Sequence, residues 1–258
     1  MSTTKIIGFI PARYASSRLP GKPLSDIAGL PMIAHVYHGV SQSKILDDVI
    51  VLTDDARIKA AVELNGGSAF MTPENCRNGT ERIAWAIDNI PIECGIAVNI
   101  QGDEPMITGE LVDRAAAPLL KDADVDIATL ACLIHDMKEL RNPAAVKVVC
   151  DNNMNALYFS RSPIPHPQNI PPEDKDVPYY KHIGIYAYHA KVVKHVTSVE
   201  PTPLERAEKL EQLRMLELGY KIAVTIVEHS LIGVDTQEDL DMVRLIFNSK
   251  FKIQNSKL

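Results

Sequence analysis

Hydrophobic residues fall into short unbroken runs separated by stretches of helical spacing. Residues 5–11 (KIIGFIP) and 48–53 (DVIVLT) are almost continuously apolar, the pattern of strands buried on both faces of a parallel sheet. Shorter runs at 67–71 and 95–100 supply further strands. Between them, 31–43, 56–64 and 79–89 read as helices, the first with proline in its opening turn. This alternation predicts an α/β fold with a doubly wound, mostly parallel sheet.

The rhythm changes after Ala131. Residues 146–150 and 156–161 (ALYFSR) read as two strands joined by a tight turn at Asp151-Asn152-Asn153. Six of the 17 prolines lie in 162–178, which excludes regular structure there. A strand follows at 183–188, then one amphipathic helix at 203–218. A strand at 222–227 and a helix from about 237 return to the α/β theme. The reading is a main domain, 1–132 with 201–258, carrying an inserted lobe at 133–200. Strands such as ALYFSR and HIGIYAY alternate in a segment too small to bury both faces, which predicts a homodimer formed through the lobe.

Composition narrows the classes of function. A chain of 258 residues, 46% hydrophobic, can bury a large core without disulfides. Its net charge is −6 and its basic residues are scattered, which argues against nucleic acid as a partner. No run approaches the ~20 apolar residues of a membrane span, and the opening run is too short for a signal peptide. The expectation is a soluble, cytoplasmic protein with no membrane insertion. Cys76, Cys94, Cys132 and Cys150 form no C-x-x-C or zinc pattern and read as inert thiols. His35 and His38 have helical spacing but no third ligand, and read as structural.

Candidate chemistry begins at residues 12–23 (ARYASSRLPGKP), which join the first strand to the first helix. Open α/β sheets bind ligands at that edge. Arg13, Arg18 and Lys22, with Ser16, Ser17 and backbone amides, suit a polyphosphate. The loop is not a P-loop, because Pro23 follows Gly21-Lys22. By composition alone, a solvated basic loop fits as well as a phosphate cradle. Asp103, in NIQGDEP at 99–105, reads either as a surface carboxylate of a Gly-Asp turn or as a magnesium ligand over phosphates. For Asp235 the local pattern favours an N-cap, with Glu238 completing a capping box.

Seven segments, IPARYASSRLPGKPL, NGTERI, NIQGDEP, ALYFSR, KHIGIYAY, EKLEQLRMLE and GVDTQEDL, occur in this order between about residues 5 and 247. Together they resemble the CMP-Kdo synthetases, which activate the acidic sugar Kdo (3-deoxy-manno-octulosonate) with CTP. Each segment alone is moderately specific; seven in order are highly specific. The resemblance implies a Rossmann-like fold of the nucleotide-diphospho-sugar transferase type, and Mg²⁺ as cofactor. It places CTP on Pro11, Ala12, Arg13, Ser16, Arg18, Lys22 and Gln101, with Arg13 and Lys22 on the triphosphate. It gives the catalytic metal to Asp103 and Asp235. It lines the sugar site with Arg82, Arg161, His182, Tyr186, Glu211 and Gln212, and makes the lobe the homodimer interface.

These assignments suit the chemistry, since Kdo offers one carboxylate and several hydroxyls and Arg161 brings a planar fork for the former. Each has a plainer alternative. Arg161 fits a strand-end surface charge, His182 a satisfied core histidine, Tyr186 core, and Glu211 a solvated helix face. Rival activities are a CMP-sugar synthetase for 8-amino-Kdo or sialic acid, and a non-catalytic nucleotide-binding regulator.

Overall fold

The computed structural model describes residues 4–15, 18–168, 177–228 and 230–255. Its first half runs β1 (Ile6–Ala12), β2 (Asp26–Ile27), β3 (Leu30–Pro31), α1 (Met32–Val40), β4 (Asp48–Thr53), α2 (Ala56–Leu64), β5 (Ser68–Met71), α3 (Gly79–Asn89), β6 (Ile96–Asn99) and α4 (Gly109–Lys121). Then come β7 (Ile127–Leu133), α5 (Met137–Arg141), β8 (Lys147–Cys150), β9 (Ala156–Ser160), β10 (Tyr180–His189) and α6 (Ala190–Ser198). The chain closes with α7 (Pro203–Glu208), α8 (Gln212–Glu217), β11 (Ile222–Val227) and α9 (Gln237–Asn255). No helix among the described residues is long and apolar enough to cross a membrane. Two compact units divide the chain, one of 1–113 with 231–258 and one of 114–230.

In the first unit four parallel strands lie in the order β6-β1-β4-β5. β1 is central and its Phe9 and Ile10 are fully buried, as its apolar run requires. Of the crossing helices, α2 and α3 start on side-chain caps: Asp55 accepts from the Arg57 amide at 2.8 Å, and Asn78 from the Glu81 amide at 2.9 Å. A separate apolar cluster joins Ile27 and Met32 to Val234, Leu240 and Val243, with Leu19 and Phe247 packed against it. Each such side chain contributes roughly 1.5–3 kcal/mol on burial. The cluster therefore fixes the 231–247 segment beside the loop that follows β1.

The second unit is built on β7, which pairs with β11 in parallel and with β10 antiparallel. β8 bridges β10 and β9. The hairpin expected at 146–161 forms, and Asp151 Oδ1 closes its turn by accepting from the Asn153 and Asn155 amides at 2.8 Å. Several expectations need correction. The unit is wider than the lobe read at 133–200, because β7 and β11 share one ladder and cohere with β10. β10 exposes no apolar face: Ile183 and Ile185 through Tyr188 are all buried. Leu133 and Leu157 are the exposed apolar side chains on its strands, at 41% and 61%. The single helix read at 203–218 is two helices, broken at Lys209, whose backbone is left-handed at φ 57°. Of the proline-rich run, 162–168 and 177–178 hold no helix or strand, and 169–176 lie outside the described residues.

Candidate functional site

β1 delivers the chain to the carboxyl edge of the first unit's sheet at Ala12. The loop beyond folds back on itself, the Gly21 amide donating to the Tyr14 carbonyl at 3.1 Å. Gly21 is left-handed at φ 70°, and a Cβ there would lie 3.0 Å from the Tyr14 ring, so only glycine fits without strain. The Arg57 guanidinium covers the same ring at 3.7 Å from its centroid. This return points Lys22 into a cavity of about 320 Å³, which Pro11, Ala12, Arg13, Arg18, Gln101, Asp103 and Asp235 also line. All belong to the first unit. Ser16, also assigned to the nucleotide, lies outside the described residues.

The cavity is organised by charge. Lys22 Nζ donates to Asp103 Oδ2 at 2.6 Å and to Asp235 Oδ1 at 3.2 Å, although these residues lie 81 and 213 positions away. The Lys22 side chain is only 11% exposed. Arg18 Nη2 lies 3.0 Å from Asp235 Oδ2. Arg13 is exposed and makes no hydrogen bond or ion pair with a described residue. The two carboxylates are held side by side by the backbone, since the Val234 amide donates to the Asp103 carbonyl at 2.9 Å.

Asp235 is not the cap of α9, which corrects the local reading. Helix α9 starts after Thr236, and Asp239 Oδ2 accepts from the Asp235 amide, the Thr236 amide and the Thr236 hydroxyl at 3.0, 2.9 and 2.9 Å. Thr236 Oγ1 accepts in return from the Asp239 amide at 3.2 Å. The capping box is thus Thr236 with Asp239, and Glu238 has no part in it. Although burial works against it, these donors and the nearby Arg18 hold the Asp239 carboxyl below its ordinary range. Because the cap is satisfied elsewhere, the Asp235 carboxylate is left for the cavity.

The carboxylate pair passes a simple test for magnesium. One ammonium already sits within hydrogen-bond reach of both, so the space between them accepts a compact cation. Among the described residues no group of three or more acidic, His or Cys side chains could hold an ion. An ion here would take its other ligands from water and phosphate, as magnesium usually does.

The same cavity contains residues that sequence reasoning did not assign to it: Ala15, Pro23, Cys76, Asn78, Gly79 and Gly102. A Cβ on Gly102 would stand 2.8 Å from the Pro11 carbonyl, and one on Gly79 3.2 Å from the Pro11 ring. Both glycines permit close backbone approach. Arg82, expected at the sugar, lines this cavity too. Its 3%-exposed guanidinium donates to Asp54 at 2.7 Å and to the Thr72 hydroxyl. Burial raises all four thiols, Cys94 to about 12 and Cys150 to about 11, in keeping with inert cysteines.

The other sugar-site candidates lie in the second unit. Arg161 donates through Nε to the Glu208 carbonyl at 2.8 Å, through Nη1 to Pro143 O at 3.0 Å and through Nη2 to Lys209 O at 3.3 Å. Three of its five donors are therefore used on backbone, two of them at the break between α7 and α8. Its amide and the Ser160 hydroxyl donate to the Glu208 carboxylate at 3.0 and 2.6 Å. Directly after the break, Glu211 precedes α8 and Gln212 opens it, 4% exposed. His182 and Tyr186 belong to an aromatic column with Phe159 and Tyr188, with successive centroids 5.1, 5.2 and 5.6 Å apart. Burial pushes His182 down to about 3. Burial, then the charges of Tyr188 and Glu211, push the Tyr186 phenol well up.

A cationic loop above paired carboxylates at the carboxyl edge of a parallel sheet defines a nucleotide-binding α/β protein of the transferase class. Comparison with known proteins makes this specific. The family described as Cytidylyltransferase matches residues 7–222, and the chain belongs to it. Among curated relatives, the 3-deoxy-manno-octulosonate cytidylyltransferase of Fusobacterium nucleatum is 48% identical over 239 residues, covering 93% of this chain and 95% of that one. The 8-amino-3,8-dideoxy-manno-octulosonate cytidylyltransferase of Shewanella pealeana is also 48% identical, covering 90% and 94%. A solved CMP:2-keto-3-deoxy-manno-octonic acid synthetase, complexed with CTP, superimposes with a TM-score of 0.90 at 41% identity, covering 96% of this chain and 100% of that one.

Proposed function

We propose that this chain transfers CMP from CTP to the anomeric hydroxyl of Kdo, giving CMP-Kdo and pyrophosphate. The observation that carries the reading is Lys22, whose ammonium lies between Asp103 and Asp235 beneath a cationic loop. Relatives and a structural neighbour named for this activity, close to full length, support it.

In this reading Arg13, Arg18 and the loop amides take the triphosphate, with Gln101 at the nucleotide. Asp103 and Asp235 would hold Mg²⁺, and Lys22, which lies on both carboxylates, would then turn to a phosphate oxygen. Magnesium, when bound there, makes the attacking hydroxyl more acidic and offsets charge at the α-phosphorus. The sugar oxygen bonds to that phosphorus, the α–β anhydride breaks, and the hydroxyl proton passes to solvent. Asp103 and Asp235 hold position throughout, and Lys22 and Arg13 neutralise the departing pyrophosphate. In the second unit Arg161, His182, Tyr186, Glu211 and Gln212 are assigned to the sugar acid. A cytoplasmic homodimer belongs to the same proposal, with Leu133 and Leu157 as the exposed side chains a second copy would cover.

The test is pyrophosphate release from each of the four nucleoside triphosphates, crossed with Kdo, 8-amino-Kdo and sialic acid. CTP with Kdo should react fastest, and EDTA should stop it. Release with 8-amino-Kdo in preference would favour the second reading, which the Shewanella relative motivates. No release with any CTP pair would refute the assignment.

A further inference from the structure

Thr129 lies in the middle of β7 with no solvent exposure. Opposite it the register of β10 slips between Ile183 and Tyr186, a bulge that disturbs the ladder there. Thr129 Oγ1 has three polar neighbours: the Ile185 carbonyl at 2.8 Å, the Ile183 carbonyl at 3.2 Å and His182 Nε2 at 3.1 Å. A hydroxyl brings one proton and two lone pairs to such a meeting. The carbonyls can only accept, so the proton goes to one of them, best to the nearer Ile185. Lone pairs are then what Oγ1 offers the ring, and Nε2 must carry a hydrogen. The opposite tautomer would turn the hydroxyl toward His182 and leave two buried carbonyls facing an oxygen without a proton, at a cost of about 1–3 kcal/mol.

Around the rest of the ring two aromatic side chains leave His182 half-buried. Phe159 meets it edge-on and Tyr186 is tilted against it. That desolvation keeps the imidazole neutral. With Nε2 protonated, Nδ1 retains its lone pair, and it makes no hydrogen bond with a described residue.

We infer that Thr129 is a positioning residue that fixes His182 as the Nε2–H tautomer, so that Nδ1 acts as an acceptor for a hydroxyl of the sugar acid. The inference rests on the proposed placing of His182 at the sugar. It also divides the labour there, because a lone pair repels a carboxylate. His182 reads a hydroxyl, and the acid group is left to cations.

Full-length enzyme labelled with ¹⁵N-histidine tests this, with the His182 resonances assigned by His182→Gln. Long-range ¹H–¹⁵N spectra should show the proton on Nε2 and a bare Nδ1, unchanged between about pH 5 and 8. Thr129→Val keeps the shape and removes the acceptor. It should mix the two tautomers and raise KM for Kdo about tenfold, the worth of one hydrogen bond, with KM for CTP unchanged. Thr129→Ser should restore both. A proton on Nδ1 in the wild type, which needs no variant to fold, overturns the role of Thr129 and leaves the sugar-site assignment standing. An unchanged tautomer in a folded Thr129→Val enzyme does the same. Adding CTP, magnesium and 2-deoxy-Kdo, which lacks the attacking hydroxyl, should shift Nδ1. If the tautomer is as stated and Nδ1 does not move, the acceptor role fails together with the placing of His182 at the sugar.

Discussion

The two units hold their polar residues in opposite ways. Around the cavity of the first unit, cations and carboxylates are paired with one another and partly wet: Asp103 is 32% exposed, Asp235 49% and Arg18 64%. Side chain meets side chain there, so a phosphate or a metal ion can replace either partner without loosening the fold. In the second unit two cations, Arg161 and Lys147, hold backbone instead. Arg161 grips three carbonyls, and the ammonium of the fully buried Lys147 donates to three more, of Asn142, Ala145 and Arg161, at 3.0, 2.6 and 2.5 Å. Burial lowers the Lys147 pKa without leaving the group unsatisfied. One set is built to change partners and the other to keep them.

The strongest way to break this contrast is to remove a carboxylate from the exchangeable set. Asp103→Ala and Asp235→Ala should each lower kcat by about 10³-fold or more, since charge placed at the reacting phosphorus matters most in the transition state. Thermal stability should stay within about 0.5 kcal/mol of wild type, because the pairs lost are partly solvated. An Asp235→Ala enzyme that turns over normally would remove Asp235 from the catalytic pair.

Arg161→Lys applies the same test to the fixed set. An ammonium cannot span the carbonyls of Pro143, Glu208 and Lys209, so stability should fall by about 3 kcal/mol in denaturant unfolding. KM for Kdo should rise and KM for CTP hold. Unchanged stability would mean that Arg161 is a surface charge after all.

His182 gives a contrast in pH. Its folded pKa of about 3 lies below the ordinary value near 6.5, so the unfolded chain takes up the proton first. Its contribution to stability is full above about pH 6.5 and is lost as pH falls toward about 3. His182→Gln should therefore flatten the stability profile below about pH 6.5, by about 2 kcal/mol at about pH 5. Equal acid sensitivity in the variant would mean that the ring is not held neutral.

Legibility in the sequence divides along the same line. The buried strands β1 and β4, the ligand-binding edge and the cationic loop were readable because apolar runs and loop composition are local signals. The break at Lys209 was not. Residues 203–218 keep helical spacing after their opening Pro203, with no internal Gly or Pro, and the interruption coincides with carbonyls claimed by Arg161, the residue that follows β9. α4 was missed because Pro118 inside it reads as a breaker. The cap of α9 was ambiguous for a different reason. Two overlapping frames, Asp235 with Glu238 and Thr236 with Asp239, both satisfy the box pattern, and only packing selects between them.

Lys22 sharpens the idea of exchange. If its ammonium occupies the place a metal would take, magnesium must compete with it until a triphosphate draws it away. Lys22→Met should then bind Mn²⁺ about tenfold more tightly than wild type in the absence of nucleotide, a shift of about 1.4 kcal/mol seen by electron paramagnetic resonance. Turnover should nevertheless fall, because the departing pyrophosphate loses a counter-charge. Weaker Mn²⁺ binding in the variant would show that Lys22 does not hold the metal's place.

The smallest expected effect separates two aspartates four residues apart. Asp239 accepts from two amides and a hydroxyl at the start of α9, while Asp235 faces Lys22 and Arg18. Asp239→Ala should remove half of the capping box and cost about 1 kcal/mol in unfolding experiments. That cost should grow as pH rises from acid, because the depressed Asp239 pKa means its stabilisation is present above the unfolded value and lost as pH falls through the folded one. Its kcat should drop far less than that of Asp235→Ala, since the Asp239 carboxylate orients a turn and does not face the cavity. If the two variants exchange behaviour, with Asp235→Ala losing stability and Asp239→Ala losing turnover, then Asp235 caps the helix in solution and Asp239 is the cavity's second carboxylate.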